Sequence, residues 1–447
     1  MAEYNLAGIG IGPSNLSLAA LLEDIPEIQC HFFEKQSTFQ WHPGMLFPES
    51  SIQISYLKDL VTLVDPTNRY SFLNFLAVHK RLYRFITARF QEVKRREFDQ
   101  YFRWVSRNLK SLTFGVTVRE IDFKEGHFVI KHDKQQLTAD NISLGTGLVP
   151  RLPSPAKPYI GNTVLHAIDY LRINPETMGK RVAVIGGGQS GAEIIRLLIS
   201  DKKNIPSNLK WITSRRGYLP IDDSPFTNEY FFPSYGDFFS GLPCEKRTQI
   251  NAELNFASDG INENLLREIY QRLYEIELIE ERGKICQLLS NCLFTDMTQC
   301  SNGWDIICTD KTKGKLVSLE ADVVILATGF HYRIPEFLEP LQNRLSIESG
   351  HFQVRLDFSI EWDGPGEHHI YIQNGAKHIR GVADPNLSLT ACRSAKIVNS
   401  LLGKDHYQPG EENSAFEWNT RESPGPLNDT DKMVNPCPKT AQGKMIS

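Results

Sequence analysis

Twice in this chain of 447 residues an apolar run enters a glycine-rich turn and leaves it with helical spacing, and nothing else in the sequence restricts the fold as much. The first unit is an apolar run over 4–9, the turn Gly8-Ile9-Gly10-Ile11-Gly12-Pro13, a helix over 16–22 and a second strand over 28–33. The second is an apolar run over 182–185, the turn Gly186-Gly187-Gly188-Gln189-Ser190-Gly191, a helix around 194–199 and a strand over 209–213. In G-x-G-x-x-G the first glycine permits the tight turn and the second lets the backbone approach a pyrophosphate. The helix that follows points its free N–H groups at the anion. Two such units predict an α/β chain with two Rossmann-like dinucleotide-binding domains.

The strand ends discriminate between the two sites. Glu34, 26 residues after Gly8, stands where a carboxylate accepts from the ribose hydroxyls of an adenosine, so the first site suits FAD or NAD despite Pro13 in the third glycine position. The second unit has no acid there; its strand runs into Ser214-Arg215-Arg216. Guanidinium groups pair with a 2′-phosphate, which makes NADPH the expected ligand, although strand-end arginines can also be merely solvated.

Composition removes other classes. Lys plus Arg total 49 against 53 Asp plus Glu, a net charge of −4, so no basic footprint for nucleic acid is present. The most apolar stretch, 70–85, carries His79, Lys80, Arg81 and Arg84, and no basic leader precedes the first turn. A cytoplasmic protein without membrane contact is expected. Eight cysteines form no C-x-x-C pair, so they read as free thiols and no metal site is expected. A homo-oligomer is expected.

Between the units and beyond them the pattern divides the chain further. Residues 217–283 turn helical, with apolar doublets Leu265-Leu266, Ile269-Tyr270 and Leu273-Tyr274 on one face, and read as a small helical substrate-binding insertion. Strands return over 304–308 and 321–326. The expected organisation is an FAD domain in two parts (1–176 and 327–404), an NADPH domain in two parts (177–216 and 284–326), the insertion, and a flexible Pro-, Gly- and Asn-rich tail over 405–447.

Several local motifs carry a family resemblance. Asp322-Val323-Val324-Ile325-Leu326-Ala327-Thr328-Gly329-Phe330 resembles the D-x-x-x-L-A-T-G-[FY] signature of the microbial N-hydroxylating flavin monooxygenases, the L-lysine N6- and L-ornithine N5-monooxygenases of siderophore biosynthesis. Residues 8–15, 39–45 (Phe-Gln-Trp-His-Pro-Gly-Met), 53–60 (Gln-Ile-Ser-Tyr-Leu-Lys-Asp-Leu) and 186–193 resemble the same family. The resemblance implies that NADPH reduces FAD and that a C4a-hydroperoxyflavin formed with O₂ hydroxylates a small-molecule primary amine, yielding a hydroxamate precursor. It implies L-lysine first and L-ornithine second, with putrescine, cadaverine or histamine as decarboxylated alternatives.

By the same resemblance, Lys58 matches the lysine that pairs with a substrate α-carboxylate, and Gln53 the glutamine near the flavin. Trp41, His42, Thr328, Gly329 and Leu387 fall in the flavin neighbourhood, and Gly186, Gly188, Gln189, Ser190 and Gly191 at the nicotinamide nucleotide. Asn228, in Asp222-Asp223-Ser224-Pro225-Phe226-Thr227-Asn228-Glu229, becomes the amine-binding candidate, with Asn255 and Ser388 as further substrate contacts. Arg380 stands where relatives usually carry histidine. Read without the motif, Lys58-Asp59 is an ordinary surface ion pair. His166 departs by one residue from the spacing of a related monooxygenase signature and reads as structural. The chemistry requires a neutral amine; a lysine ammonium of pKa ~10.4 costs about 4–5 kcal/mol to deprotonate at pH 7, so a water-poor pocket with carbonyl acceptors is expected. A disulfide oxidoreductase shares the two-nucleotide layout but needs a dithiol beside the flavin, and a non-catalytic flavin sensor would form no hydroxylamine.

Overall fold

The computed structural model describes residues 2–90, 92–201, 205–409 and 414–418. Both glycine units fold as strand, turn and helix, each at the centre of its own sheet. Tyr4–Ile9 lies between Cys30–Glu34 and Gln136–Leu144, all parallel, in a seven-stranded sheet completed by Leu112–Phe114, His127–His132, Val118–Lys124 and Ile370–Ile372. Gln136–Leu144 divides its far edge: its first half pairs antiparallel with His127–His132, and Ile142 to Leu144 pair in parallel with Ile370–Ile372. A strand from 360 residues along the chain thereby returns beside the first turn, and the chain is committed to one discontinuous unit.

The second sheet has five parallel strands in the order Cys286–Leu289, Asn208–Ile212, Arg181–Ile185, Val323–Leu326, Val164–His166. Its central strands are buried on both faces, which explains why they read as unbroken apolar runs. Val182, Val184, Val323 and Ile325 meet the helices Gln189–Ser200 and Glu263–Tyr274. The alternate residues Ala183, Ile185, Val324 and Leu326 meet Trp304, Ile306 and Cys308 of a three-stranded antiparallel meander, Cys292–Cys300, Gly303–Asp310 and Lys315–Ala321.

Three sequence expectations resolve differently. The strand expected over 321–326 breaks at Asp322, whose carboxylate accepts from the Arg181 backbone N–H (2.8 Å) and side-chain Nε (3.1 Å), turning the chain from the meander into the parallel sheet. The helical stretch 217–283 divides in its packing. Glu263–Tyr274, capped by Asn262, packs on the second sheet's own helix, whereas Phe231 and Ala257 pack on Val382 and Ala383. From the expected tail, residues 414–418 instead lie against the chain: Phe416 meets Phe226, Trp418 sits 4.8 Å from the Tyr235 ring, and Ser414 Oγ donates to Glu229 (2.6 Å). Residues 410–413 and 419–447 of that tail lie outside the described residues. No helix among the described residues is long and apolar enough to cross a membrane.

Candidate functional site

Both nucleotide helices begin at a glycine with no side-chain cap, Gly12 before Pro13–Leu22 and Gly188 before Gln189–Ser200. Ser71 and Asn262 cap the starts of Phe72–Val78 and Glu263–Tyr274, while several other helices likewise lack a side-chain cap, so it is the glycine at the start that marks these two. The uncapped first-turn N–H groups are what an anion needs. Pro13 at the first helical position has no N–H to lose there.

Space around the glycines separates internal packing from ligand room. A Cβ on Gly10, at φ +86°, would lie 2.5 Å from the Gly145 carbonyl, and on Gly186, at φ +138°, 2.0 Å from that of Ala327. Gly8 is closed by the Phe32 ring (2.0 Å) and Gly191 by the Gly186 carbonyl (2.3 Å). At the helix-start glycines the nearest atoms would stand at 4.0 Å for Gly12 and 3.7 Å for Gly188, so the protein itself does not require glycine there. A backbone-hugging pyrophosphate does. Both cradles fit a dinucleotide.

At the first cradle Glu34 Oε2 accepts from the Ile11 N–H and Oε1 from the Gln36 N–H, both at 2.9 Å, which fixes the carboxylate at the mouth of the turn. Trp41 packs edge-on against Phe102. His42, at φ 46°, is reached by solvent yet walled in by surrounding chain, as a residue lining a cleft is. That crowding, with the Arg95 charge second, pushes its imidazole down to about 4, so it is neutral at pH 7. Its ring lies 6.3 Å from Phe330, beside Thr328 and Gly329 (φ +80°), which the loop from Arg151 holds through Thr328 Oγ1 and the Gly329 carbonyl. His166 is buried, accepts from the Ile168 N–H and packs on Phe330.

At the second cradle Arg215 does not dangle at a strand end. Its Nη1 donates to the carbonyls of Gly187 (3.2 Å) and Asp259 (2.7 Å), and its guanidinium lies over Phe256, which places the charge on the rim of the turn. Arg216 is exposed, and Ser190 is half-buried in the first helical turn. The helix of the second cradle meets the chain over residues 53–95 at a polar seam. Gln53 donates to Gln189 Oε1 (3.3 Å), which also receives the Asn262 N–H (2.9 Å). Gln189 donates on to Glu193 (2.9 Å), itself held by both nitrogens of Arg95 at 2.9 and 3.0 Å, and Asn262 donates to Glu92 (2.6 Å).

Of the substrate candidates, only the segments of Asn228 and Ser388 are brought together by described packing. Lys58 is half-buried, and its ammonium has no hydrogen bond or ion pair among the described residues; burial pushes its pKa down, with Cys392 acting in the opposite direction. Asp59 is not its partner. That carboxylate is 3% exposed and turned inward, accepting from the N–H groups of Val61, Thr62 and Phe72 and from the Thr62 hydroxyl. Ser388 is buried in the turn Leu387–Leu389, and its hydroxyl lacks a partner among the described residues. Tyr230 and Phe231, of the turn Thr227–Phe231 that bears Asn228, share a cluster with Val382, Ala383 and Leu389, bringing Asn228's segment to that of Ser388. Asn228 Nδ2 donates to the Asp223 carbonyl (2.9 Å), which leaves its Oδ1 available. Asn255 is exposed at the start of Asn255–Asp259, and no described hydrogen bond joins it to Asn228.

Sequence reading missed Gln373 and Arg95. Gln373, fully buried, donates to Asn15 Oδ1 (3.1 Å) while its own Oε1 lacks a described partner, and Asn15 also braces the Gly10 carbonyl (2.8 Å). Neither residue sits in a pattern of its own, and each acquires meaning only through a distant partner.

Comparison with known proteins agrees with this geometry. A family model described as L-lysine 6-monooxygenase/L-ornithine 5-monooxygenase matches residues 2–332. The L-lysine N6-monooxygenase of Escherichia coli is 38% identical over 419 residues, 93% of this chain and 98% of that protein. Among solved structures, the FAD-bound cadaverine monooxygenase DfoA of Erwinia amylovora superposes with a TM-score of 0.88 at 29% identity, covering 94% of this chain and 99% of that one. The ornithine N-hydroxylase KtzI of Kutzneria sp. 744, solved with reduced FAD, NADP+ and L-ornithine, gives 0.83 at 28% identity, covering 90% and 99%. With two glycine cradles and a matching family model over most of its length, the chain belongs to the L-lysine 6-monooxygenase/L-ornithine 5-monooxygenase family of flavin-dependent N-hydroxylating enzymes.

Proposed function

We propose that this enzyme binds FAD at the Gly8–Gly12 cradle and NADPH at the Gly186–Gly191 cradle, and that it N-hydroxylates the side-chain amine of L-lysine. Bound flavin, reduced by NADPH and reacted with O₂, supplies the oxygen atom. The residues of this chain do the rest. Lys58 holds the α-carboxylate, and the observation that carries the choice of an amino acid is its half-buried ammonium without a carboxylate of its own. Asn228 presents Oδ1 to the amine; a neutral amide accepts an N–H without favouring the ammonium as a carboxylate would. Phe231, Val382, Ala383 and Leu389 give the region an apolar wall beside Asn228, which is itself exposed. Arg215, and Arg216 beside it, supply the charge that suits a 2′-phosphate.

A second reading, a diamine such as cadaverine, is favoured by the likeness to DfoA. The test is a panel of L-lysine, L-ornithine, putrescine and cadaverine scored for hydroxylamine formed per NADPH consumed. L-lysine with a near-unit ratio and the highest kcat/KM is expected. Cadaverine surpassing it would transfer the assignment to the diamine, and peroxide as the sole product from every amine would leave only a flavin-binding redox protein.

A further inference from the structure

The helices Pro233–Ser240, Lys377–Arg380 and Thr390–Leu402 border a partly open cavity of about 20 Å³, room for one water-sized body, lined among others by Arg380, Arg393, Lys396, Asp384 and Phe358. Arg380 is 4% exposed and Arg393 2%. Arginine cannot shed its proton, so both are buried charges. The carboxylates beside them do not balance them. Asp237 Oδ1 is shared by Arg380 Nη2 (2.6 Å) and Lys396 (2.7 Å), and Asp384 serves Arg393 through a long 3.4 Å contact and its backbone carbonyl at 2.8 Å. Three cations thus face two carboxylates. Arg380 Nε and Nη1 and Arg393 Nε have no hydrogen-bond partner among the described residues. Phe358 lies under both guanidinium groups, 4.7 Å from Arg380 and 5.6 Å from Arg393, and is held there at φ 67°, a conformation that bulky side chains rarely adopt. A ring face softens the repulsion of two cations without neutralising them.

We propose that this cavity is a binding site for a small monovalent anion, of chloride size, held by the unpartnered N–H groups of Arg380 and Arg393 with Lys396 alongside. The assignment does not depend on which amine the enzyme takes. Its position gives the anion a role: Pro233–Ser240 follows the turn bearing Asn228, and Thr390–Leu402 follows the turn bearing Ser388, so neutralising the junction fixes the two substrate-contact segments to each other.

The test uses FAD-loaded enzyme exchanged into gluconate buffer and titrated with chloride, formate or sulfate at matched ionic strength, with melting temperature as readout. Chloride is expected to give a saturable rise of about 3 °C at a hundredfold excess over its dissociation constant, lost in Arg380→Met, while sulfate, too large and doubly charged, gives none. A rise with formate alone also supports the site and makes a carboxylate its occupant. Abolition of that rise by L-lysine and not by cadaverine would overturn the proposal, since the cavity would then be part of the substrate pocket and not a separate anion site. Equal curves for all salts, or an unchanged chloride response in Arg380→Met, overturn the proposal. Should that variant fail to fold, crystals of the parent enzyme soaked in bromide decide: an anomalous peak between Arg380 and Arg393 is expected, and its absence refutes the site.

Discussion

Replacing Lys58 by methionine removes one charge and keeps the length of the apolar stem, so it isolates the ammonium's contribution to amino-acid recognition. A carboxylate about 3 Å from that nitrogen is attracted by about 5 kcal/mol at an effective dielectric constant near 20. Burial already disfavours the charge on Lys58, and the incoming carboxylate must also shed water. These costs offset roughly half of the attraction and leave about 2–3 kcal/mol, the usual range for a charge-assisted hydrogen bond. That corresponds to a KM for L-lysine higher by about 30- to 150-fold. Because no described contact links the Lys58 ammonium to either glycine cradle, flavin reduction by NADPH followed by stopped-flow absorbance should keep its rate. The KM for cadaverine, which has no carboxylate, should hold within about twofold on the same grounds. Hydroxylamine yield measured against each amine supplies the comparison. An unchanged KM for L-lysine, or an equal loss for both amines, would show that Lys58 does not meet a carboxylate.

Arg95→Met leaves the buried Glu193 carboxylate with only Gln189 as a donor, and should lower stability by about 3–5 kcal/mol in urea unfolding; Arg95→Met combined with Glu193→Gln should recover part of that loss. A single-variant cost below about 1 kcal/mol would mean that the pair is solvated. Gly12→Ala fits the protein sterically, so the apoprotein should melt as the parent does while FAD content after purification falls; Gly188→Ala should instead raise the KM for NADPH with FAD retained. His42 has a folded pKa near 4, below the unfolded value of about 6.5, so the unfolded chain takes up its proton first. Apoprotein stability should therefore fall as pH drops from 6.5 toward 4, and His42→Gln should flatten that part of the profile; identical profiles would place the imidazole in free solvent.

What the sequence discloses follows from the range over which its physics acts. Both glycine units are legible because strand, turn and helix lie within about 30 residues and each step has a local steric cause. The polar seam is not, since Arg95 and Glu193 are 98 residues apart, nor is the brace on the first turn, where Gln373 and Asn15 are 358 apart. Periodicity shows that Glu263–Tyr274 has an apolar face without showing what it covers, hence its placement with the insertion and not against the second sheet. The run 321–326 looks continuous by hydropathy, and only the Asp322–Arg181 contacts reveal a corner. Lys58 is the reverse case. A neighbouring acid suggests an ion pair, and the fold separates the two by rotating Asp59 into the core.

The seam also bears on how such enzymes can be recombined. Gln189, Glu193 and Asn262 meet Gln53, Arg95 and Glu92, residues supplied by the stretch before the second cradle begins. A chimera that grafts the reductant-binding half of a relative onto this scaffold must import the matching 53, 92 and 95 side chains as well, or it will bury a lone carboxylate at the graft line. Breakpoints chosen by sequence continuity alone cut through these three pairs.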